Sequence, residues 1–396
     1  MQTTALPRIS SIDILRALTM VLMIFVNDLW SLKEIPLWLE HTAANDDGMG
    51  LADVVFPAFL VIVGMSVPFA AGSRSSKGQS KKEISLHIIL RSFALIIMGV
   101  FLVNGESINA AVTGIPRWLW FPLSCLCFIL IWNKYPKTIN TKLRMALQFT
   151  GWMILISLSF LYRGGDDGTK HFATSWWGIL GLIGWAYLVS ALIFTYSGNK
   201  IINVLVFFAL CLGLNIAAHA RLLPVTPVLH KMISPFGEGA MPAFVTAGMI
   251  SSMLFINFRD KVNKYHYVGL LAMLSVCLLI AGFSLRFLNG ISKIKATPSW
   301  VLICTAITFA AFAIIYWLAD IHKKDYWFNV IKPAGTNTLT CYLLPYFVYG
   351  LLHAFSLSFP EAISQGIIGL VKSAVFALLI VLLGGWLGKR GVQVKL

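Results

Sequence analysis

The sequence predicts an all-α bundle of about 10–12 membrane-spanning helices forming a single domain over residues 1–396, with both termini cytoplasmic. Three observations predict it. Of the 396 residues, 58% are hydrophobic and 12% charged, whereas a soluble domain carries about 25% charged residues, so the supply cannot cover a water-facing surface. Apolar runs long enough to cross a bilayer core, roughly 20 residues each, recur along the whole chain. The short polar segments between them carry lysine and arginine unequally on alternate sides, as the preference of basic loops for the cytoplasm requires.

In chain order the spans are expected at 12–30, 51–72, 84–104, 117–132, 145–162, 175–197, 201–219, 239–257, 266–287, 299–319, 334–355 and 366–387. The sixth and seventh are separated by little more than Gly198, Asn199 and Lys200, and the last contains Lys372. With the N-terminus inside, 19 of the 31 lysines and arginines fall in cytoplasmic segments and 8 in external ones; Arg16, Arg91, Arg286 and Lys372 lie within spans. The first run carries Asp13 and Arg16 near its start and no cleavage site, so it is expected to be retained rather than removed as a signal. The formal net charge of +15 is scattered over separate loops, which argues against a nucleic-acid partner and leaves membrane lipid as the surroundings. The six cysteines all fall within spans, where they act as small apolar residues.

Polar groups inside spans are costly and mark candidate sites. Asp13 and Arg16, three apart on one face of the first span, lie at its cytoplasmic end, while Asn27 and Asp28 lie at its outer end. Asp53 opens the second span from outside, and His41, Asp46 and Asp47 lie in the connecting loop, so Asn27, His41 and Asp53 converge on the outer side by topology. That loop holds one lysine against four acids, a field that attracts a cationic acceptor. Arg91 enters the third span from the cytoplasmic side, and Glu238 sits in a Pro-Phe-Gly-Glu-Gly run before the eighth. Plainer roles are open to each: a solvated surface histidine, a carboxylate complementing a helix N-terminus, an ion pair anchoring the interface. No phosphate-binding loop, dinucleotide fingerprint or zinc spacing occurs, and no metal is expected. Two classes remain. A transporter or flippase for a sugar or lipid-linked sugar would concentrate polar groups near the midplane; an intramembrane enzyme would place them at one face. Clustering at the ends of the first three spans favours the enzyme.

The series Ser11-Ile12-Asp13-Ile14-Leu15-Arg16, Met23-Ile24-Phe25-Val26-Asn27, His41, Leu51-Ala52-Asp53-Val54-Val55-Phe56-Pro57, Ile62-Val63-Gly64-Met65-Ser66 and Arg91-Ser92-Phe93 with Asn104 resembles the heparan-α-glucosaminide N-acetyltransferase family. Looser matches follow at Gly237-Glu238-Gly239 and Gly335-Thr336-Asn337-Thr338-Leu339. The resemblance implies a bacterial-type member without an additional N-terminal domain, located in the inner membrane, with a homodimer among the allowed assemblies. It implies acetyl-CoA as co-substrate on the cytoplasmic side and an amino-sugar or glycan acceptor of glucosamine type on the other. It also implies catalysis by the loop histidine, His41, with Asn27 beside it. On this reading Arg16 and Arg91, with Asp13 paired to the former, meet the CoA phosphates. His41 takes a proton from the attacking amine, Asn27 donates to the oxyanion, Asp53 orients the histidine, and Asp46, Asp47 and Glu238 meet the acceptor. Direct transfer and an acetyl-histidine intermediate are both compatible with these residues.

Overall fold

The computed structural model describes residues 9–223, 233–258 and 263–396; Arg8, Arg259, Lys261 and Lys231, counted above in the loops, lie outside them. Among the described residues the fold is all-α, with isolated β-bridges but no sheet. Its helices are α1 Ser10–Asp28, α2 Leu51–Ser75, α3 Lys81–Glu106, the single turn α4 Ala110–Thr113, α5 Arg117–Trp132, α6 Thr141–Leu161, α7 Ile179–Tyr196 and α8 Ile201–His219. There follow α9 Ala240–Phe258, α10 Lys264–Ser284, α11 Pro298–Tyr316, the short α12 Lys332–Thr336, α13 Thr338–Ala354 and α14 Gly366–Lys389. Each of the twelve expected spans has its helix, and among the described residues nine of them are long and apolar enough to cross a membrane. The protein is a multi-pass membrane protein.

Differences from the expected spans have local causes. α7 and α8 are separate helices because Gly198 and Asn199 take positive φ, 70° and 59°, and reverse the chain. The run expected at 334–355 is broken at Asn337 (φ −117°, ψ 37°), whose side chain is spent across the bundle: its amide donates to Gly384 O at 3.1 Å and its oxygen accepts from Gln393. α11 continues through a π-helical turn, Trp317–Ile321, which aims Asp320 at the start of α1. There the carboxylate accepts the N–H groups of Ser10 and Ser11 at 3.2 and 2.9 Å, satisfying donors that a helix start leaves open and complementing its dipole.

At the centre α9, almost wholly buried, packs along α2. The backbones meet because Gly64 faces the Val245 carbonyl and Gly248 faces the Val61 carbonyl; a Cβ at either would collide with backbone. Small residues permit such approach where lipid offers no hydrophobic drive between helices. α1 runs against α2, α11, α12 and α14, while α6, α8, α10 and α14 turn most of their surface outward. Thus α1 and α2 form the axis of the bundle. The end where α1 begins is called the near face, expected to be cytoplasmic, and the end where it finishes the far face. α2 separates the loop 31–50 at the far face from the loop 76–80 at the near face. In a protein whose exposed Cys277 has been replaced by serine, single cysteines in these two loops are expected to label from opposite sides of a sealed membrane. Labelling of both from one side would contradict the orientation of α1 and α2.

Candidate active site

At the far face the chain leaves α1 through two 3-10 turns, Leu29–Ser31 and Leu37–Leu39, and reaches α2 in extended form. Asp53 occupies the first turn of α2 and is buried, only 1% exposed. Every oxygen it presents is used. Oδ2 accepts the N–H groups of Thr42 and Gly50 at 3.0 and 3.1 Å, and Oδ1 lies 2.6 Å from His41 Nδ1. Its backbone carbonyl accepts Trp300 Nε1 at 3.0 Å. A buried carboxylate with three donors stays ionised and fixed. Because Asp53 can only accept, Nδ1 must carry the imidazole proton, which leaves the lone pair on Nε2. The His41 side chain is 51% exposed, so a second molecule can reach that nitrogen. An oriented histidine with a buried carboxylate behind it is the arrangement of a general base or nucleophile.

A third group stands beside the pair. Lys293, in the loop between α10 and α11, places Nζ 3.2 Å from His41 Nδ1, 3.4 Å from Nε2 and 3.9 Å from Asp53 Oδ1. Its loop is fastened to the loop after α1: Asp47 accepts the Ile291 N–H at 2.7 Å and Arg286 Nε at 2.8 Å, Gly48 N–H donates to Ile291 O, and Ser292 Oγ to Ala44 O. Burial pushes the Lys293 ammonium below its ordinary 10.5, against the pull of the Asp53 carboxylate. The Ile291 N–H and then Arg286 hold the Asp47 carboxyl below its ordinary 3.8. The sign follows: Asp47 steadies the joined loops fully above that ordinary value, and the contribution is lost as pH falls through the depressed one. Hydrogen exchange of residues 286–292 is therefore expected to be slow and unchanged from pH 7 to 5 after correction for intrinsic rate, and Asp47→Asn to accelerate it at both.

The other expected acceptor and oxyanion residues are placed as follows. Asn27 is exposed in the last turn of α1, on the same face as the pair but without a hydrogen bond to His41 or Asp53. Its neighbour Asp28 turns inward, accepting Tyr349 Oη at 2.6 Å and Ser373 Oγ at 2.5 Å, with Lys372 Nζ at 3.3 Å. This anchors α1 to α13 and α14. With interhelical hydrogen bonds in membranes worth about 0.6 kcal/mol each, up to about 1.7, Asp28→Ala is expected to lower stability by about 2 kcal/mol in a denaturant titration. Asp46 is exposed at the loop tip. Asp47 serves the clasp just described. Glu238 sits at φ 53° after Gly237 at φ 55°, a strained turn at the head of α9, and strain of this kind collects at working sites. The buried amide of Asn215 donates to Ala296 O at 3.0 Å and Gly237 O at 3.5 Å, so this turn and the Lys293 loop are held together.

Toward the near face a cavity of about 650 Å³ opens between α1, α2, α3, α7 and α13. Arg16, Arg74, Arg91, Lys134, Lys395 and His87 line it, and among the described residues no aspartate or glutamate does. Its inner wall is apolar, with Met20, Met23, Phe59 and Leu95. Arg16 is braced by Asp13 at 3.0 Å and Ser66 Oγ at 2.5 Å. The Arg91 guanidinium lies over the Tyr187 ring, 4.9 Å from its centroid, and its buried Nε has no hydrogen-bond partner among the described residues. Lys134 and Lys395, 261 positions apart, meet at the rim because the chain after α14 pairs with the end of α5: Lys134 N–H donates to Gln393 O at 2.8 Å, and Lys395 N–H to Trp132 O at 3.1 Å. Met23 lies four residues before Asn27, about 6 Å along the helix, so the inner end of the cavity approaches the level of the far-face residues.

The structure therefore brings His41 and Asp53 together and sets Arg16 and Arg91 around one cavity. It adds Lys293, which the sequence offered only as one of two lysines, with Lys295, in an external loop against the inside bias, and it names Lys134 and Lys395 as the loop lysines at the cavity rim.

Comparison with known proteins locates the relationship. Residues 8–121 match the family described as heparan-alpha-glucosaminide N-acetyltransferase, catalytic. The chain is 36% identical over 102 residues to the heparan-alpha-glucosaminide N-acetyltransferase of Homo sapiens, and 38% identical over 101 residues to that of Mus musculus. The aligned segments cover 25% and 24% of this chain and 14% of each relative's length. The matched region holds Asp13, Arg16, Asn27, His41, Asp53 and Arg91, whereas Lys134, Glu238, Lys293 and Lys395 lie beyond it. Residues 8–121, which build α1 to α3 and both halves of the His41–Asp53 pair, are thus similar to the catalytic region of the heparan-alpha-glucosaminide N-acetyltransferase family, and the chain spans only a small part of the length of the curated relatives it matches.

Proposed function

We propose that the protein is a transmembrane acyltransferase that takes an acetyl group from acetyl-CoA at the cytoplasmic face and delivers it to the amine of an amino-sugar acceptor at the opposite face. One observation carries the reading: α1 walls a cavity lined, among the described residues, by five lysines and arginines and no aspartate or glutamate, and the same helix runs on to the loop that holds His41 against Asp53. A polyanionic nucleotide suits the rim, and a thin thioester arm suits the apolar interior between Met20, Met23 and Phe59. The names of the relatives supply the acceptor class, a glucosamine-type amine.

In this mechanism Arg91 and Arg16 make charge-assisted contacts to phosphate oxygens, with Lys134 and Lys395 adding point charges at the rim. His41 Nε2 accepts the proton of the attacking amine while Asp53 holds the Nδ1–H and steadies the imidazolium that forms. The Asn27 amide, open at the end of α1, donates to the acyl carbonyl oxygen. Asp46 and Glu238 meet hydroxyl or ammonium groups of the acceptor. No residue in this scheme requires a metal.

The test is direct. Purified protein given acetyl-CoA and glucosamine is expected to yield N-acetylglucosamine and free CoA in equal amounts by mass spectrometry. Movement of glucosamine across a vesicle wall without acetylation would favour the carrier reading instead.

A further inference from the structure

Lys293 is carried to His41 by construction. The clasp of Asp47 with Ile291 and Arg286, the Gly48–Ile291 and Ser292–Ala44 hydrogen bonds, and the Asn215–Ala296 contact all fix the loop that bears it. A solvated surface lysine needs none of these. Nor does it serve to orient the imidazole, since Asp53 already holds Nδ1 at 2.6 Å. Its ammonium nitrogen lies 3.4 Å from Nε2, the nitrogen that faces a second molecule. Its contribution must therefore come when negative charge develops next to Nε2, and acyl transfer develops such a charge on the carbonyl oxygen.

We propose that Lys293 is a catalytic residue whose ammonium faces the oxyanion formed on the acyl carbonyl beside His41 Nε2. The inference rests on the acyl-transfer reading above and names a charged donor that it lacks. In direct transfer the amine nitrogen attacks the thioester carbon, and the C=O π pair moves onto oxygen, where Lys293 meets it. His41 Nε2 takes the amine proton. The oxygen pair then returns, the C–S bond breaks, and the leaving thiolate takes that proton from His41, giving amide and thiol. Attack by Nε2 itself would place the same oxyanion in the same field. The titratable groups facing Lys293 are His41 from the loop after α1, Asp53 from α2 and Cys304 from α11.

Lys293→Met and Lys293→Arg, assayed with acetyl-CoA and glucosamine, test it. The Met variant is expected to lose about 10²–10³-fold in kcat, the scale of a removed oxyanion donor, with KM for both substrates nearly unchanged. The Arg variant should recover part of the loss. Burial lowers the lysine's protonation range, so the charge is present below that range and lost above it, and wild-type kcat should fall on the alkaline side. Arginine stays charged throughout, so the Arg variant should lack that fall. Undiminished kcat in the Met variant, a loss confined to KM, or an alkaline fall retained in the Arg variant would each overturn the proposal. Binding of acetyl-CoA by calorimetry reports folding; should the Met variant fail it, the Arg pH profile decides. Absence of transfer by the wild type would overturn the acyl-transfer reading and this inference together, whereas wild-type turnover with an unaffected Met variant overturns this inference alone.

Discussion

Replacement of His41 by alanine is expected to remove acetyl transfer to glucosamine while leaving acetyl-CoA binding nearly intact, because the cationic rim that would hold the nucleotide lies at the other end of α1. Loss of a general base lowers rate by about 10²–10⁴-fold, and loss of a nucleophile by more. Asp53→Asn is the sharper companion. An asparagine amide can donate where the carboxylate only accepts, so it can pair with Nδ1 as a lone-pair acceptor and leave the proton on Nε2, the nitrogen that must be free. A fall of similar size is expected, with the protein still folded, because Thr42 and Gly50 retain an acceptor oxygen. Single-turnover kinetics with calorimetry on both variants checks it. Near-normal turnover by folded His41→Ala would refute the role, and Glu238 would become the next candidate base.

The second large effect is expected at the near face. Arg91→Gln removes a guanidinium whose buried Nε has no hydrogen-bond partner among the described residues and whose carbon lies over the Tyr187 ring, so little else depends on it. A hydrogen bond to a charged group contributes about 1.5–3 kcal/mol, and acetyl-CoA affinity should fall by about 10–150-fold. Arg91→Lys should recover only part, since an ammonium cannot make a planar two-pronged contact. Arg16→Gln should weaken binding too, but it also frees Asp13 and Ser66, so a stability loss should accompany it. The pair Lys134→Gln with Lys395→Gln should chiefly flatten the salt dependence of binding, as exposed charges are the ones salt screens. Calorimetry over a salt series separates these outcomes. Unchanged affinity in Arg91→Gln would make that arginine structural.

Much of this was legible in the sequence because a bilayer imposes a one-dimensional rule: a span needs an unbroken apolar run, and all twelve runs became helices. The break at Asn337 was not legible, since it depends on Gly384 and Gln393 arriving from the last helix and the chain beyond it. The His41–Asp53 pair was legible because topology alone carries both to one face, twelve positions apart. Lys293 was not, because its place is set by Asp47 and Ser292 joining two loops some 240 positions apart. The same holds for Lys134 and Lys395, brought together by the pairing of Asn133 with Val394 and by the hydrogen bonds of the Asn133 side chain to Gly391 and Gln393. At the end of α1 the sequence offered two adjacent polar residues. The structure separates them by one helical step, sending Asp28 into the anchor with Tyr349 and Ser373 and leaving Asn27 exposed.

Transfer across the membrane along α1 is tested most directly by one measurement. In sealed vesicles holding the protein in a single orientation, acetyl-CoA is supplied to one compartment only and glucosamine to the other. N-acetylglucosamine is expected in the glucosamine compartment when acetyl-CoA meets the face bearing Arg16, Arg91, Lys134 and Lys395, and free CoA is expected to stay on its own side. Product formed only when both substrates share a compartment, or transfer from acetyl-CoA supplied at the His41 face alone, would contradict the account.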